Sequence, residues 1–367
     1  MLQNKIVREF LNLFLIVLSS FSVFASSSVE GESKEESFNV SEFIMHHIKD
    51  AHEWHLFGSD HDGVSVYLPV ILQDEGIKVF SSTHFYHGEM THHDGHHYLL
   101  GVGPAEGYAM YHEKIYKLDD KGALHFDDKG HPTNAKPMDL SITKNVASLL
   151  MGSFLVLVLI LSTAKFYKKN GAASPKGIAK FIEPIVIFVR DDIAKENINE
   201  HKYHKYLPYL LTIFFFIWIN NMLGLIPILP GGANLTGNIT VTMFLAVCTL
   251  LITVLSGNKN YWKHIFATPG VPIALMPIMI PIEIVGIFTK PFALMIRLFA
   301  NITAGHIIVL ALISIIFIYK NTAWAALSVP MALFISVLEI LVAFLQAYLF
   351  ALLSALFIGA AVEEDHH

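Results

Sequence analysis

Two long apolar stretches in the C-terminal half of the chain, 271–319 and 323–362, hold very few groups that can carry charge. From Val271 to Val362 they are Glu283, Lys290, Arg297, Lys320 and Glu339, with one histidine, His306. Lys320 sits in the polar turn Lys320-Asn321-Thr322, and Lys290 stands near an end from which its long side chain can snorkel to water. Arg297, His306 and Glu339 have no such escape. A centrally placed arginine costs about 2.5–3.5 kcal/mol on insertion scales, and a guanidinium does not shed its proton to avoid the cost. Arg297 therefore stays cationic, and no acid in its own stretch is placed to pair with it. A fixed cation in lipid can stabilise a visiting anion or block a passing cation. A histidine and a glutamate can take up and release protons.

The spacing of these groups is coherent. If the two stretches form an antiparallel helical hairpin, residues facing each other have a constant index sum, and the polar turn near residue 322 fixes it. One register then sets Gln346 beside Arg297 and Glu339 beside His306. His306 lies nine residues beyond Arg297, which is about 13 Å along an upright helix. It is turned about 180° around the axis, whereas Asn301 lies one turn from Arg297 on nearly the same face.

The elements that must position these groups are membrane helices. The chain has 367 residues, of which 53% are apolar and 15% charged, against about 45–50% and 25% for soluble domains. Uncharged runs at 146–164, 207–229 and 239–255 each match one bilayer crossing. The two longer stretches would run about twice the thickness of the hydrocarbon core, so each must be strongly tilted or broken, with Pro281 and Pro291 as candidate kink points. Lysines crowd the segments after the first crossing (Lys165, Lys168, Lys169, Lys176, Lys180), before the second (Lys202, Lys205) and after the third (Lys259, Lys263). The positive-inside rule puts those segments in the cytoplasm, with the N-terminus outside and the C-terminus inside. The segment 176–199 alternates apolar and charged residues and reads as an amphipathic helix at the cytoplasmic interface.

The front of the chain differs. Residues 26–140 carry 20 acidic and 8 basic residues, and 141–367 carry 10 and 15. Lys5 and Arg8, the apolar run Phe10–Phe24 and the small residues from Ala25 have the form of a secretory signal, placed at 1–25. A Ser/Glu linker at 26–37 leads into β-like runs at 64–72 and 78–86. The expected division is a signal peptide at 1–25, an exported acidic His-rich domain at 26–140, and a membrane domain at 141–367. Fourteen of the 20 histidines fall between His46 and His131. His92, His93, His96 and His97 are the densest group and a candidate metal site, though their spacing matches no standard zinc pattern. Cys248 is the only cysteine, which excludes a disulfide framework. The absence of a basic stripe argues against nucleic-acid binding.

The fold class read from these features is an all-α polytopic membrane protein with a small β-rich exported N-terminal domain. It has five membrane-crossing helices, the last two long, tilted and antiparallel. The run from Lys290 to His306, with Pro291, Arg297, Leu298, Phe299, Asn301, Ala304 and Gly305, resembles the central K-P-x5-R-L-F-x-N-x-x-A-G motif of subunit a of F-type ATP synthases. The segment from Glu339 through Gln346 resembles the family's last helix, and Asn220, Asn221, Gly224 and Asn238 to Thr240 also match. The likeness runs from about 142 to 362. Commonly an acid follows the A-G and a histidine occupies the final-helix position; here His306 and Glu339 are exchanged.

The resemblance implies a non-catalytic, proton-translocating stator subunit of the Fo sector in a bacterial inner membrane, multi-pass, with a periplasmic N-terminal domain and a cytoplasmic C-terminus. It implies no cofactor. The implied partners are the c-ring, the subunit b peripheral stalk, other Fo and F1 subunits, and lipid. Its implied proton-translocation residues are Arg297, Asn301, His306, Glu339 and Gln346, with Glu283, Asn238 and Lys290 as weaker channel-lining candidates. The competing expectation is a secondary transporter or anion channel that uses Arg297 as a substrate site.

Overall fold

A computed structural model describes residues 48–57, 64–74, 76–93, 95–171, 174–226, 232–267, 275–319 and 321–363, with Ile44 and Pro272. The signal at 1–25, the linker at 26–37, His46, Asp94, Lys320 and Glu364 lie outside the described residues.

The front domain is built from short antiparallel strands. β1 (Glu53–Phe57) pairs with β2 (Val64–Tyr67). β3 (Pro69–Gln73) lies between β4 (Ile77–Ser81) and β9 (Met138–Asp139). β5 (Met90–His93), β6 (His96–Leu100), β7 (Tyr108–Tyr111) and β8 (Lys114–Lys117) form a four-stranded meander. Alternation along β3 buries Val70 and Leu72, which pack with Phe80, Phe85, Tyr108, Met110 and Ile115. The expected run at 64–72 is broken between Tyr67 and Pro69, and the run at 78–86 ends in a helical turn, Thr83–Tyr86. In that turn Phe85 is the core residue.

Among the described residues five helices are long and apolar enough to cross a membrane. They are α1 (Lys144–Asn170), α3 (Tyr203–Leu225), α4 (Ile239–Ser256), α6 (Met276–Tyr319) and α7 (Ala325–Val362). Two shorter helices join them, α2 (Ile178–Phe188) and α5 (Lys259–Phe266). Thr143 caps α1, its hydroxyl accepting from the Val146 amide. α6 has 44 residues and α7 has 38, lengths of roughly 66 and 57 Å. Pro281 and Pro291 lie inside α6 without ending it. A short turn, Thr322–Trp324, reverses the chain, and Trp324 stacks on Tyr319 across it.

The bundle core is centred on α3. Leu210, Phe214 and Ile217 pack with Leu294 and Leu298 of α6 and with Ala347, Phe350, Ala351 and Ile358 of α7. The amphipathic segment after α1 forms α2, which continues into a π-helical stretch, Val189–Lys195. Its apolar side does not face lipid alone: Ile182, Val189, Ile193 and Ile198 are buried in the bundle core. Arg190 and Lys195 both reach Asp191, at 2.8 and 2.7 Å, on its polar side. Gly359 of α7 approaches so closely that a Cβ there would overlap the Asn197 carbonyl.

Candidate functional site

Arg297 sits at a boundary on α6. Leu294, Leu298 and Ile302 turn into the bundle, while Ile296, Ala300, Asn301 and Ala304 are exposed. Arg297 itself is half-buried between these faces. Among the described residues no carboxylate lies within ion-pair distance of it, and it makes no hydrogen bond. Asn301 and Gln346 do not hold the guanidinium. Asn301 faces outward, and Gln346 is only 3% exposed among the small residues Ala343 and Ala347 of α7.

The hairpin register follows the constant-sum rule. A Cβ on Gly305 would overlap the Glu339 carboxylate, so Gly305 and Glu339 face each other directly. Arg297 is thereby level with Gln346 and Ala347, and His306 with Glu339. Sharing a level does not join the acid to the imidazole. His306 Nε2 is buried with no hydrogen-bond partner, and Glu339 lies against the helix where Gly305 lacks a side chain. The index sum fixes height along the hairpin but not rotation around each helix.

Several other buried polar atoms lack partners: Thr303 Oγ1 on α6, Ser148 Oγ on α1, Asn220 Oδ1 on α3, and Asn234 Nδ2 in the loop before α4. Gly152, one turn from Ser148, admits the Asn220 side chain. Asn221 donates weakly to the Ala343 carbonyl at 3.4 Å and accepts from Thr236 at 2.6 Å. A buried polar atom without a partner costs about 1–3 kcal/mol, and buried water is the usual remedy where several such atoms occur. These atoms lie on α1, α3, α6 and the α3–α4 loop, in the half of the bundle that adjoins the front domain.

A second polar track lies toward the other end. Tyr209 Oη is 2.7 Å from Thr249 Oγ1, and Thr249 Oγ1 is 3.2 Å from Ser354 Oγ. Thr253, one turn on, lines a small cleft with Tyr261, Pro291 and Lys290, whose ammonium lies over the Phe357 ring at 5.7 Å. Glu283 acts electrostatically on Tyr261 beside that cleft. Asn238 is at the opposite end of α4, where its side chain caps the helix by accepting from the Thr240 amide at 2.9 Å. The Tyr209–Thr249–Ser354 track was not anticipated from sequence. Its signal was the spacing of Thr242, Thr249 and Thr253, which puts three hydroxyls on one buried side of an otherwise apolar helix.

The front-domain histidines divide. In the β5–β6 hairpin His92 opposes His97 and His93 opposes His96, so the two pairs point to opposite faces. The His92 and His97 rings are 4.6 Å apart. His96 instead meets the Tyr111 hydroxyl at 3.1 Å and stacks on Phe126. Among the described residues no group of three His, Cys, Asp or Glu side chains is placed to hold a metal. His52 is the buried histidine, 2% exposed, at 3.4 Å from Asp139 and 3.8 Å from Glu113. Burial alone would lower its pKa. The charge contacts with Asp139 and Glu113 outweigh burial and raise it to about 9.

Comparison with known proteins places the helical part. A family model described as the ATP synthase A chain matches residues 147–359. A second model, described as a domain of unknown function, matches 43–140. The "ATP synthase subunit a 2" of Chlorobaculum tepidum is 52% identical over 237 residues, covering 62% of this chain and 66% of the relative. The "ATP synthase subunit a" of Chloroherpeton thalassium is 43% identical over 270 residues, covering 68% and 78%. That of Myxococcus xanthus is 46% identical over 236 residues, covering 63% and 76%. The match thus spans about two thirds of the length of the first of these relatives and more of the other two.

Proposed function

The chain belongs to the ATP synthase A chain family, and from that premise we propose that it is the proton-translocating stator subunit of the Fo sector, a non-catalytic part of the complex held in a bacterial inner membrane. This membership supersedes the reading of Arg297 as the substrate site of a transporter or anion channel. The chain is a multi-pass membrane protein. Its front domain is periplasmic and its C-terminus cytoplasmic, a reading that the lysine distribution supports.

The observation that carries the reading is Arg297: a permanent cation on a long lipid-level helix, half-buried, with no acid of its own chain to neutralise it among the described residues. Its counter-ion must come from outside the chain. A carboxylate on a neighbouring ring of c subunits fits, because proximity to a guanidinium favours the ionised acid. A carboxylate that moves on into lipid must first be protonated, since a bare charge there is expensive. Arg297 also repels a proton that would cross directly, so the two polar tracks on either side of it are not shorted together.

The outer path runs past Ser148, Asn220 and Thr303 to His306, whose buried partnerless polar atoms suit a chain of water, and on to Glu339. The inner path runs along Thr249, Ser354 and Thr253 toward Lys290 and Glu283. Each proton moving down 100 mV releases about 2.3 kcal/mol, which biases the direction of rotation. The exposed small residues Ala293, Ala300 and Ala304, beside Arg297, let ring helices come close. The subunit b stalk and the remaining Fo and F1 subunits complete the assembly.

Crosslinking tests the placement. With Cys248→Ala as background, single cysteines at Ala300, Ala304 and Ile308 should form disulfides with cysteines on the outer helix of the c subunit. Cysteines at Leu298 and Ile302, which face inward, should not. Equal yields from both sets, or none from the first, would remove the ring from this face.

A further inference from the structure

The β5–β6 hairpin carries a pair of histidines that the proton path does not use. The chain reverses in the two residues between His93 and His96, where Gly95 has a φ of 81°. Beyond the turn the register sets His92 against His97, Thr91 against Tyr98 and Met90 against Leu99. The Leu100 amide donates to the Glu89 carbonyl at 3.0 Å, which makes 89 and 100 a hydrogen-bonded pair. Bonded and open pairs alternate along an antiparallel ladder. Thr91 and Tyr98 are therefore the next bonded pair, and His92 and His97 are an open one. Open pairs hold their side chains closest, with Cα atoms about 4.5 Å apart.

Both imidazoles are exposed, and their ring centroids stand 4.6 Å apart at an interplanar angle of 53°. A first-row metal ion bonds an imidazole nitrogen at about 2.0–2.1 Å, which puts it about 3.2 Å from the ring centroid. Two rings that meet one ion at about 90–110° then have centroids about 4.5–5.2 Å apart. The observed separation falls at the short end of that range, where two nitrogens sit side by side on a tetragonal ion. Neighbouring histidines are placed differently. The His93 and His125 centroids are 6.5 Å apart, too far for nitrogens side by side on one ion, and His125 Nε2 meets Asp119 at 2.8 Å. His96 is engaged by the Tyr111 hydroxyl and by Phe126.

We propose that His92 and His97 form a surface site for one divalent transition-metal ion, held by two adjacent imidazoles. Cu²⁺ binds it most tightly, and Ni²⁺ and Zn²⁺ bind more weakly. Mg²⁺ and Ca²⁺ prefer oxygen ligands and are not taken. Among the described residues no third His, Cys, Asp or Glu joins the pair, so water fills the remaining positions. The site belongs to the front domain and does not depend on the stator reading of the helical part.

The test uses the full-length chain in the detergent-solubilised complex, stripped of F1, prepared without a histidine tag and cleared of metal by a chelator. Cu²⁺ is added up to one equivalent per chain, and electron paramagnetic resonance of the frozen sample reads its nitrogen ligands. The wild type should show copper bound by two imidazole nitrogens. His92→Gln and His97→Gln should each lose that signal and bind copper about 10²-fold more weakly or worse, because a second tethered ligand multiplies affinity by about 10²–10⁴. The double variant should bind no more weakly than either single one. His131→Gln, which removes an exposed histidine outside the pair, should match the wild type.

A second measurement uses the unaltered sequence. Diethyl pyrocarbonate modifies accessible imidazoles, and peptide mapping by mass spectrometry locates the label. Zn²⁺ should protect His92 and His97 together, with the same half-saturating concentration, and Mg²⁺ should protect neither. A two-nitrogen signal that survives in either single variant, zinc protection of one histidine without the other, or equal protection by Mg²⁺ would overturn the proposal.

Discussion

Replacing Gly305 with alanine isolates what the Gly305–Glu339 contact does. A Cβ at position 305 overlaps the carboxylate and presses on the Glu339 side-chain carbons behind it. Restoring an ordinary contact of about 3.5 Å requires the carboxylate to swing by roughly 1–2 Å. The stability balance is nearly even. Alanine in place of a mid-helix glycine gains about 0.8–1 kcal/mol, and pushing a side chain off its rotamer costs about 0.5–1.5 kcal/mol. Assembly should therefore survive within about 1 kcal/mol.

Function should not be spared. A displacement of about 1 Å in a relay can cost up to 10²-fold, so proton-driven ATP synthesis in inverted membrane vesicles should fall at least tenfold, or about 1.4 kcal/mol. Passive proton flow should fall with it, while the amount of subunit in the membrane stays constant. Because the effect passes through Glu339, Gly305→Ala combined with Glu339→Gln should be no worse than Glu339→Gln alone, within about twofold. Wild-type rates in Gly305→Ala, or losses that multiply in the double variant, would refute the reasoning.

Other contacts give further expectations. His52 is held protonated, with its pKa raised to about 9 from an ordinary 6.5. Its contribution, on the order of 3 kcal/mol, is full below about pH 6.5 and is lost as pH rises through 9. Hydrogen exchange of β3 and β9 in the intact complex should accelerate over that interval, and His52→Gln should remove the pH dependence. Gly152→Val places methyl groups where the Asn220 side chain now lies. Overpacking of this kind costs about 1–3 kcal/mol, so the yield of assembled complex should fall, with a smaller loss for Gly152→Ser. Thr249→Val strips the partner from both Tyr209 Oη and Ser354 Oγ. It should cost about 1–2 kcal/mol in thermal unfolding of the detergent-solubilised complex, whereas Thr249→Ser should be nearly neutral.

The sequence carried the membrane half well because its rules are few. Length and lack of charge marked the five crossings. One polar turn near residue 322 set the hairpin register that brings Gly305 against Glu339 and Gln346 level with Arg297. It did not carry rotation, which is why the expected contact between His306 and Glu339, and the expected support of Arg297 by Asn301, are not formed. Pro281 and Pro291 were candidate break or kink points, and α6 is broken at neither. The front domain was harder. Its strands are two to five residues long, too short for alternation to fix their ends, as the break between Tyr67 and Pro69 shows. The His cluster read as one group, but the two-residue period of the β5–β6 hairpin splits it between faces. The bond from Asn145 to Asp50 joins residues 95 positions apart, and no local pattern announces it.

The most direct measurement is of coupling in Arg297→Ala. Membranes carrying this variant should assemble the complex and bind F1, yet show no proton-driven ATP synthesis, with any residual proton flow uncoupled from rotation because nothing separates the two polar tracks. Synthesis near the wild-type rate at the same driving force would contradict the assignment of Arg297 as the stator charge, and with it the mechanism built on that residue.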